Sequence, residues 1–414
     1  MASVVAWLDT SAEEQRRARE IIALFAQPES RDELGIGQIR DAFSNTLFPG
    51  TSVIQTRARY FLFVPWIYRD GLNRKHTGQD LKAWADTQER RLVEALGKAG
   101  ATDGLIGRVA GAAVKRLPSA IYWAGLVRYG ILTRDAAPDQ LTGAIGSQFA
   151  DAAAADELAV RMSSEWNPTL PPAPAGFPGE IPGGFAMSHD EASWLAEQIQ
   201  RAAQGTLLTH LLRADSAPDA DSSGPWEDTA ARTAPPAVRQ QLRHAQLFSL
   251  CMHGAALLYN QLVGERYEQQ RLNAVPDPVS TYRGRLRGWA EDCEAARHQI
   301  AAWDRRDMWD LIALANPNVG PVTKTFVNTW LDAVTSGGYA EVSSDNRLRD
   351  LVADRERYQK KAQSRLINDH LLRTWSGASG SSRLDFRWQQ VRGIVTDIRN
   401  GIDNHGGAAS DARP

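Results

Sequence analysis

Cysteine and lysine are the scarce residues of this 414-residue chain. Two cysteines, Cys251 and Cys293, can build neither a disulfide framework nor a cysteine-rich zinc site, which points to a reducing, cytoplasmic setting. Seven of the 47 basic residues are lysines and the rest are arginines. The arginine fork suits phosphate and carboxylate recognition, and a GC-rich genome produces the same bias without any function. Charge of one sign is also lacking. With 47 basic and 49 acidic residues the net charge is -2, which excludes the global basicity of a bulk nucleic-acid binder, so an anionic partner must meet a local patch. No hydrophobic run is long. The longest, Tyr60 to Tyr68, is less than half a membrane span and contains Pro65. The N-terminus shows no basic stretch followed by an apolar one, so neither a signal peptide nor a membrane crossing is expected.

The familiar catalytic motifs are missing too. No GxxxxGK[ST] loop and no strand-borne GxGxxG is present, since Gly35-Ile36-Gly37 lacks the third glycine. His76-Thr77-Gly78 does not supply the histidine and lysine pair of phospholipase-D-type nucleases. The eight histidines are scattered rather than paired for zinc. His244 and His253 share nearly one helix face, where a satisfied core or surface role is the better reading. Ser376 to Gly380 is rich in glycine and serine, yet it lies between helices with no strand before it, so it reads as a flexible turn rather than a nucleophile elbow. No catalytic residue, metal or cofactor is expected.

What is present is helix. Hydrophobic residues make up 43% of the chain and include 13 Trp, enough for two to three cores. Ser11 with Glu14 forms a capping box for a first amphipathic helix, and a second fits Gly37 to Leu47. Thr51 or Ser52 would cap a third, running from Val53 through the apolar stretch, with Pro65 as kink or stop. Further helices are read at 78–99, 104–115 and 118–130, with alanine-rich text over 138–162 continuing the pattern. In the second half, Ser188 with Glu191 caps a helix, 237–271 forms one long helix, and others cover 280–303, 305–315, 321–335, 346–374 and 384–402. The segment 214–236 reads as loop or disorder. The fold class is mainly α, a multi-helix bundle in two halves.

Trp166 to Phe185 interrupts the pattern with six prolines and favours extended polyproline backbone. A domain boundary is placed there, giving an N-terminal helical domain (1–162), a linker (163–185), a C-terminal helical domain (186–402) and a tail (403–414). A strap packed on one globule is an equal alternative, because Trp166, Leu170, Phe177 and Phe185 are apolar.

Residues 104–132 have the layout of a helix-turn-helix with the start of a wing, placing Ser119, Tyr122 and Arg128 on or near a recognition helix. Arg108, Lys115 and Arg116 would meet phosphates. Two packed helices joined by a Pro-Ser cap look the same, and that structural reading ranks first. Arg57 and Arg59, before the apolar run, could hold a phosphate or carboxylate, or pair with Asp32, Glu33 or Asp41 to fix neighbouring helices, which again ranks first. The Arg-dense stretches 283–306 and 347–365 are interleaved with acids, as in a solvated, ion-paired helical face.

Several strings taken together carry a resemblance: AWLDTS near the start, RDELGIGQIRDAFSNTLFPGTSVIQTRARYFLFVPWIY from Arg31, RLPSAIYWAGLVRYGI from Arg116, WNPTLPPAPAGFP from Trp166, GAALLYN from Gly254 and FRWQQVRGIVTDI from Phe386. The chain resembles an uncharacterised bacterial family, a domain of unknown function. The resemblance implies a predominantly helical fold and gene neighbourhoods of mobile elements or anti-phage defence, and it carries no catalytic residue. The leading expectation is a non-catalytic accessory component of a defence or DNA-processing system, which binds a partner protein and, through the N-terminal half, nucleic acid. A metal-dependent nuclease of unfamiliar design and a structural oligomerising protein are the alternatives.

Overall fold

The computed structural model describes residues 32–142 and 165–404, and among them it contains fifteen α-helices, no strand and one isolated antiparallel bridge, Leu132 to Trp166. The mainly α class therefore holds. The helix expected after Ser11, most of the alanine-rich stretch and the tail from 405 lie outside the described residues. No helix among the described residues is long and apolar enough to cross a membrane.

These residues form two compact units that interleave in sequence. The first comprises 32–43 and 243–384, and the second 44–142, 165–242 and 385–404. The described part of the proline-rich segment thus lies inside the second unit, where it is the packed strap.

The second unit is built around α2 (Tyr60–Asn73), which follows α1 (Gly37–Leu47). Every residue from Tyr60 to Tyr68 is buried, as befits a helix apolar around its whole circumference. Tyr60 packs on Tyr122 and Phe185, Phe61 on Tyr129, and Phe63 and Trp66 on Phe177. Each such side chain contributes roughly 1.5–3 kcal/mol through burial. The strap needs hydrogen-bond donors, because extended backbone satisfies none of its own carbonyls. Trp66 Nε1 donates to the Pro171 carbonyl at 2.7 Å, and the Arg69 guanidinium reaches the carbonyls of Leu170 and Pro171 at 3.2 Å each.

Three local expectations are corrected in this unit. The third helix starts at Tyr60 rather than Val53, because the N–H groups of Thr56 and Arg57 donate to the Tyr122 hydroxyl and that of Ala58 to Asp397, leaving none for a helical turn. It also continues through Pro65 to Asn73 rather than stopping there. Beyond α3 (Gly78–Lys98), residues 104–115 form turns with a single 3-10 turn, Gly111–Ala113, instead of a helix. Gly104, Gly107 and Gly111 all adopt positive φ, which a right-handed helix does not allow. The helix-turn-helix therefore lacks its first helix. The second exists as α4 (Pro118–Arg128). Past the strap come α5 (His189–Ala202), with the Ser188 and Glu191 capping box as expected, α6 (Leu207–Arg213) and α7 (Thr229–Arg232). The segment 214–236 is fixed rather than disordered, since the Asp228 carboxylate accepts the N–H groups of Asp219 and Ala231.

The first unit contains most of α8 (Pro236–Gln269), then α9 (Pro278–Ala295), α10 (Arg297–Ala301), α11 (Arg305–Ala315), α12 (Pro321–Thr335), α13 (Asn346–Lys360) and α14 (Asp369–Arg373). The remaining helix, α15 (Trp388–Asp403), belongs to the second unit. Helix α8 is central here, with Leu247, Phe248, Leu258 and Tyr259 buried. Two indoles are anchored to its carbonyls, Trp289 to Leu250 at 2.8 Å and Trp330 to Cys251 at 2.9 Å. The single helix expected over 346–374 breaks after Lys360, because the buried Glu356 carboxylate takes the Ser364 hydroxyl and the Arg365 N–H. Arg365 in turn pairs with buried Glu33 at 2.6 Å.

Candidate functional site

The candidate residues of the sequence separate into two groups in the second unit. Arg57, Arg59, Ser119 and Tyr122 hold the structure together. Arg57 makes two parallel hydrogen bonds to Asp397, at 2.9 and 2.7 Å, and a third contact to Asp103. Burial opposes the Arg57 cation, but the hydrogen bond and charge of Asp397 outweigh it and raise its pKa. Arg59 bonds the carbonyls of Pro182 and Gly184 and the carboxylate of Glu191, so it ties the strap to α5. The structural role ranked first for this pair thus holds with other partners than Asp32, Glu33 and Asp41, which lie in the first unit. Tyr122 is fully buried beneath residues 56–57, and Ser119 donates its N–H to buried Glu89 at 2.8 Å. Both side chains are buried. Arg108, Lys115 and Arg128 are exposed, and Arg116 is half-buried.

The first unit offers a more concentrated arrangement. An open groove of about 540 Å³ lies between α8, α9 and the loop that follows α14. His253 and Leu257 enter it from α8, Arg285, Trp289 and Asp292 from α9, and Ser381, Ser382 and Arg383 from the loop. Gly254 makes the floor possible. A Cβ there would lie 2.2 Å from the Trp289 ring, so the indole rests directly on the helix backbone. The residues Arg285, Gly288, Trp289 and Asp292 recur at three- and four-residue spacing and so share one face of α9.

The loop is pinned rather than flexible, which corrects the expectation for Ser376 to Gly380. Asn260 accepts the Ser379 N–H at 2.9 Å and donates to the Ser379 carbonyl at 2.8 Å. Tyr282 donates to the Gly377 carbonyl at 2.7 Å and Ser249 to that of Leu384 at 2.7 Å. His253 Nε2 lies 3.1 Å from the Ser381 carbonyl. A carbonyl only accepts, so Nε2 carries the proton and Nδ1 keeps a lone pair. Ser249, His253 and Asn260 follow one stripe of α8, which therefore holds the loop along its length. Ser382 and Arg383 are delivered on fixed backbone, so ordering them costs little on binding.

Electrostatics keep His253 neutral. Burial lowers its pKa, the Ser381 carbonyl acts in the opposite direction, and the nearby Arg383 and Arg285 guanidinium groups lower it further against Asp292. Burial also pushes the two neighbouring thiols up, Cys293 to about 12, so neither is a nucleophile at neutral pH. The printed partner of His253 Nε2 is thus a carbonyl rather than a hydroxyl, and Ser382 is exposed beside it in the lining. Arg285, Arg383 and Ser382 give the groove lining two cationic side chains and a hydroxyl. Among the described residues no three His, Cys, Asp or Glu side chains converge as metal ligands.

His244 is a satisfied core histidine, as expected: Trp303 donates to its Nδ1 at 2.9 Å, so its protonated Nε2 donates to Asp307 at 2.8 Å. The sequence shows His253, the arginines after 283 and the Gly/Ser loop singly, and the groove they form is not legible in it. The period of α8 and α9 was the available signal, but nothing in it joins them to residue 383. A model described as a family of unknown function (DUF6361) matches residues 2–400, and the chain belongs to that family. No curated protein and no solved structure matches it.

Proposed function

We propose that this protein is a non-catalytic binding component, which recognises an anionic group of its partner in the groove of the first unit. The observation that carries the reading is the pinned loop, which presents Arg383 beside Arg285 and a neutral histidine on prearranged backbone. Guanidinium groups suit phosphate or carboxylate, and a backbone already fixed loses little freedom on binding. Nucleic acid is the proposed anionic partner, met by this local patch in a chain whose net charge is -2. The wider setting, an accessory role beside a protein partner in bacterial defence or DNA processing, follows from the resemblance described above. The two free, buried cysteines suit a reducing cytoplasm.

A gel shift of the full chain with single- and double-stranded DNA and RNA at low and high salt tests the reading. Binding that weakens with salt and is lost in Arg285→Glu/Arg383→Glu supports it. Binding lost instead on charge reversal of Arg108, Lys115 and Arg128 moves the interface to the second unit, and no shift at low salt removes nucleic acid as the partner. Cleavage of any of these substrates would overturn the non-catalytic assignment.

A further inference from the structure

The exposed side of α9 carries an inference that does not depend on the anionic partner. This 18-residue helix buries Val279, Tyr282, Leu286, Trp289 and Cys293. Its opposite stripe, Thr281, Gly284, Gly288 and Ala295, is exposed, and a Cβ at Gly284 or Gly288 meets nothing within 4 Å. Glycine inside an exposed helix is destabilising relative to alanine, and no close approach within the chain requires it at either position. Charge flanks the stripe. At 3.6 residues per turn, Arg285 and Asp292 lie on one flank and Arg287 and Glu291 on the other, all four exposed. Among the described residues none of the four enters an ion pair, although Arg287 and Glu291 are one turn apart. The arrangement suits an isolated helix poorly. Both acids lie toward the C-terminal end, where the dipole opposes negative charge, and Glu291 follows Arg287 in the less favourable order.

We propose that this side of α9 is a self-association surface, on which α9 of a second copy lies antiparallel about a two-fold axis at Gly288. The charges are self-complementary in that register. Such an axis sets each flank against the same flank of the second copy. Arg285 then sits within one residue of Asp292 of the second copy, and Arg287 within two residues of its Glu291, offsets of about 1.5 and 3 Å along the axis. Both pairs occur twice. A parallel pairing would instead set Arg285 against Arg287 and Asp292 against Glu291, like charges throughout. The bare glycines let the two backbones approach closely enough for these side chains to meet. A helix of this length spans about 27 Å, so the contact is small beside that of a permanent dimer, and the association is reversible and weakened by salt. Arg285 also lines the groove, so an anion held there and a second copy compete for it.

Sedimentation velocity on the full chain, from micromolar to submillimolar concentration at low and high salt, tests the proposal. Concentration-dependent dimerisation that weakens with salt is expected. Arg287→Glu and Glu291→Arg are each expected to weaken it at least about tenfold, because each turns two attractions into repulsions. The double variant Arg287→Glu/Glu291→Arg is expected to restore it. An equimolar mixture of the two single variants is expected to dimerise as well, since their charges complement each other only across the pair. Neither residue lines the groove, so these outcomes are read separately from any nucleic-acid shift. Gly288→Leu points into open space within the chain, so it is expected to abolish the dimer at a melting temperature no lower than wild type. Alanine is itself small enough for such a stripe, which is why the test uses leucine. A chain that stays monomeric at submillimolar concentration and low salt overturns the proposal. So does a dimer unaffected by any one of these single changes, or a pair of single variants that fails to recover on mixing.

Discussion

Gly254→Ala tests whether the floor of the groove is built as described. An alanine Cβ would lie 2.2 Å from Trp289 Cζ2 and 2.4 Å from Cε2 and Cη2, where carbon contacts ordinarily sit at about 3.5–4.0 Å. The neighbour is a tryptophan only 2% exposed. Relief requires an indole displacement of more than about 1 Å. That movement breaks the 2.8 Å bond from Trp289 Nε1 to the Leu250 carbonyl. Overpacking costs about 1–3 kcal/mol, and a buried indole N–H left unpaired about 1–3 more. The helix-propensity gain of alanine over glycine offsets about 1 kcal/mol. A net loss of about 1–5 kcal/mol is expected, which lowers the melting temperature of a unit this size by about 2–20 °C. Gly284→Ala is the control. A Cβ at Gly284 meets nothing within 4 Å, so the same substitution on α9 is expected to stabilise by about 0.5–1 kcal/mol. Scanning calorimetry with near-ultraviolet circular dichroism measures both. A Gly254→Ala protein melting at or above the wild-type temperature, or two variants shifting alike, would refute the close approach of Trp289 to α8.

Three more outcomes follow from the same geometry. Asp397→Ala leaves the Arg57 guanidinium and the Ala58 N–H without their carboxylate; because Arg57 is 24% exposed and water recovers part of the loss, about 2–3 kcal/mol is expected in urea unfolding, and a loss below about 0.5 contradicts the pairing. Glu89 is fully buried, and burial pushes its carboxyl up to about 7 against the Ser119 hydrogen bonds, so the folded state retains a proton that the unfolded chain releases near 4.5. Stability therefore falls as pH rises from about 4.5 to about 7, and Glu89→Gln is expected to gain up to about 3 kcal/mol over wild type at pH 8 and little at pH 5; an equal effect at both pH values contradicts the raised pKa. Asn260→Ala removes both partners of Ser379, and hydrogen exchange is expected to accelerate by at least about tenfold at residues 379–381; unchanged exchange would mean that the loop is held by other contacts.

Where the physics is local, the sequence was sufficient. The helices at Gly37–Leu47, His189–Ala202 and Pro236–Gln269 follow from apolar period and capping residues that act within a few positions of one another. Local reasoning failed where a distant side chain took the backbone hydrogen bonds. Tyr122 and Asp397 delay α2, and Glu356 ends α13. At 104–115 the cause is local, because the left-handed conformations of Gly104, Gly107 and Gly111 override the apolar pattern.

The candidate site divides in the same way. That Arg57 and Arg59 would be structural could be argued from charge and position, but their partners Asp397 and Glu191 lie far along the chain and no spacing rule reaches them. The groove joins a stripe of α8, a face of α9 and a loop after α14, each unremarkable as text. Amphipathic period determined that these helices exist and which faces turn inward. Only the packing of one indole against Gly254, and the hydrogen bonds from Asn260 and His253 to a glycine- and serine-rich loop, decided that two arginines and a neutral histidine would line a common space. Side-chain period is set by bond geometry along a few residues, whereas a site is set by which surfaces exclude water together, and that requires the chain in three dimensions.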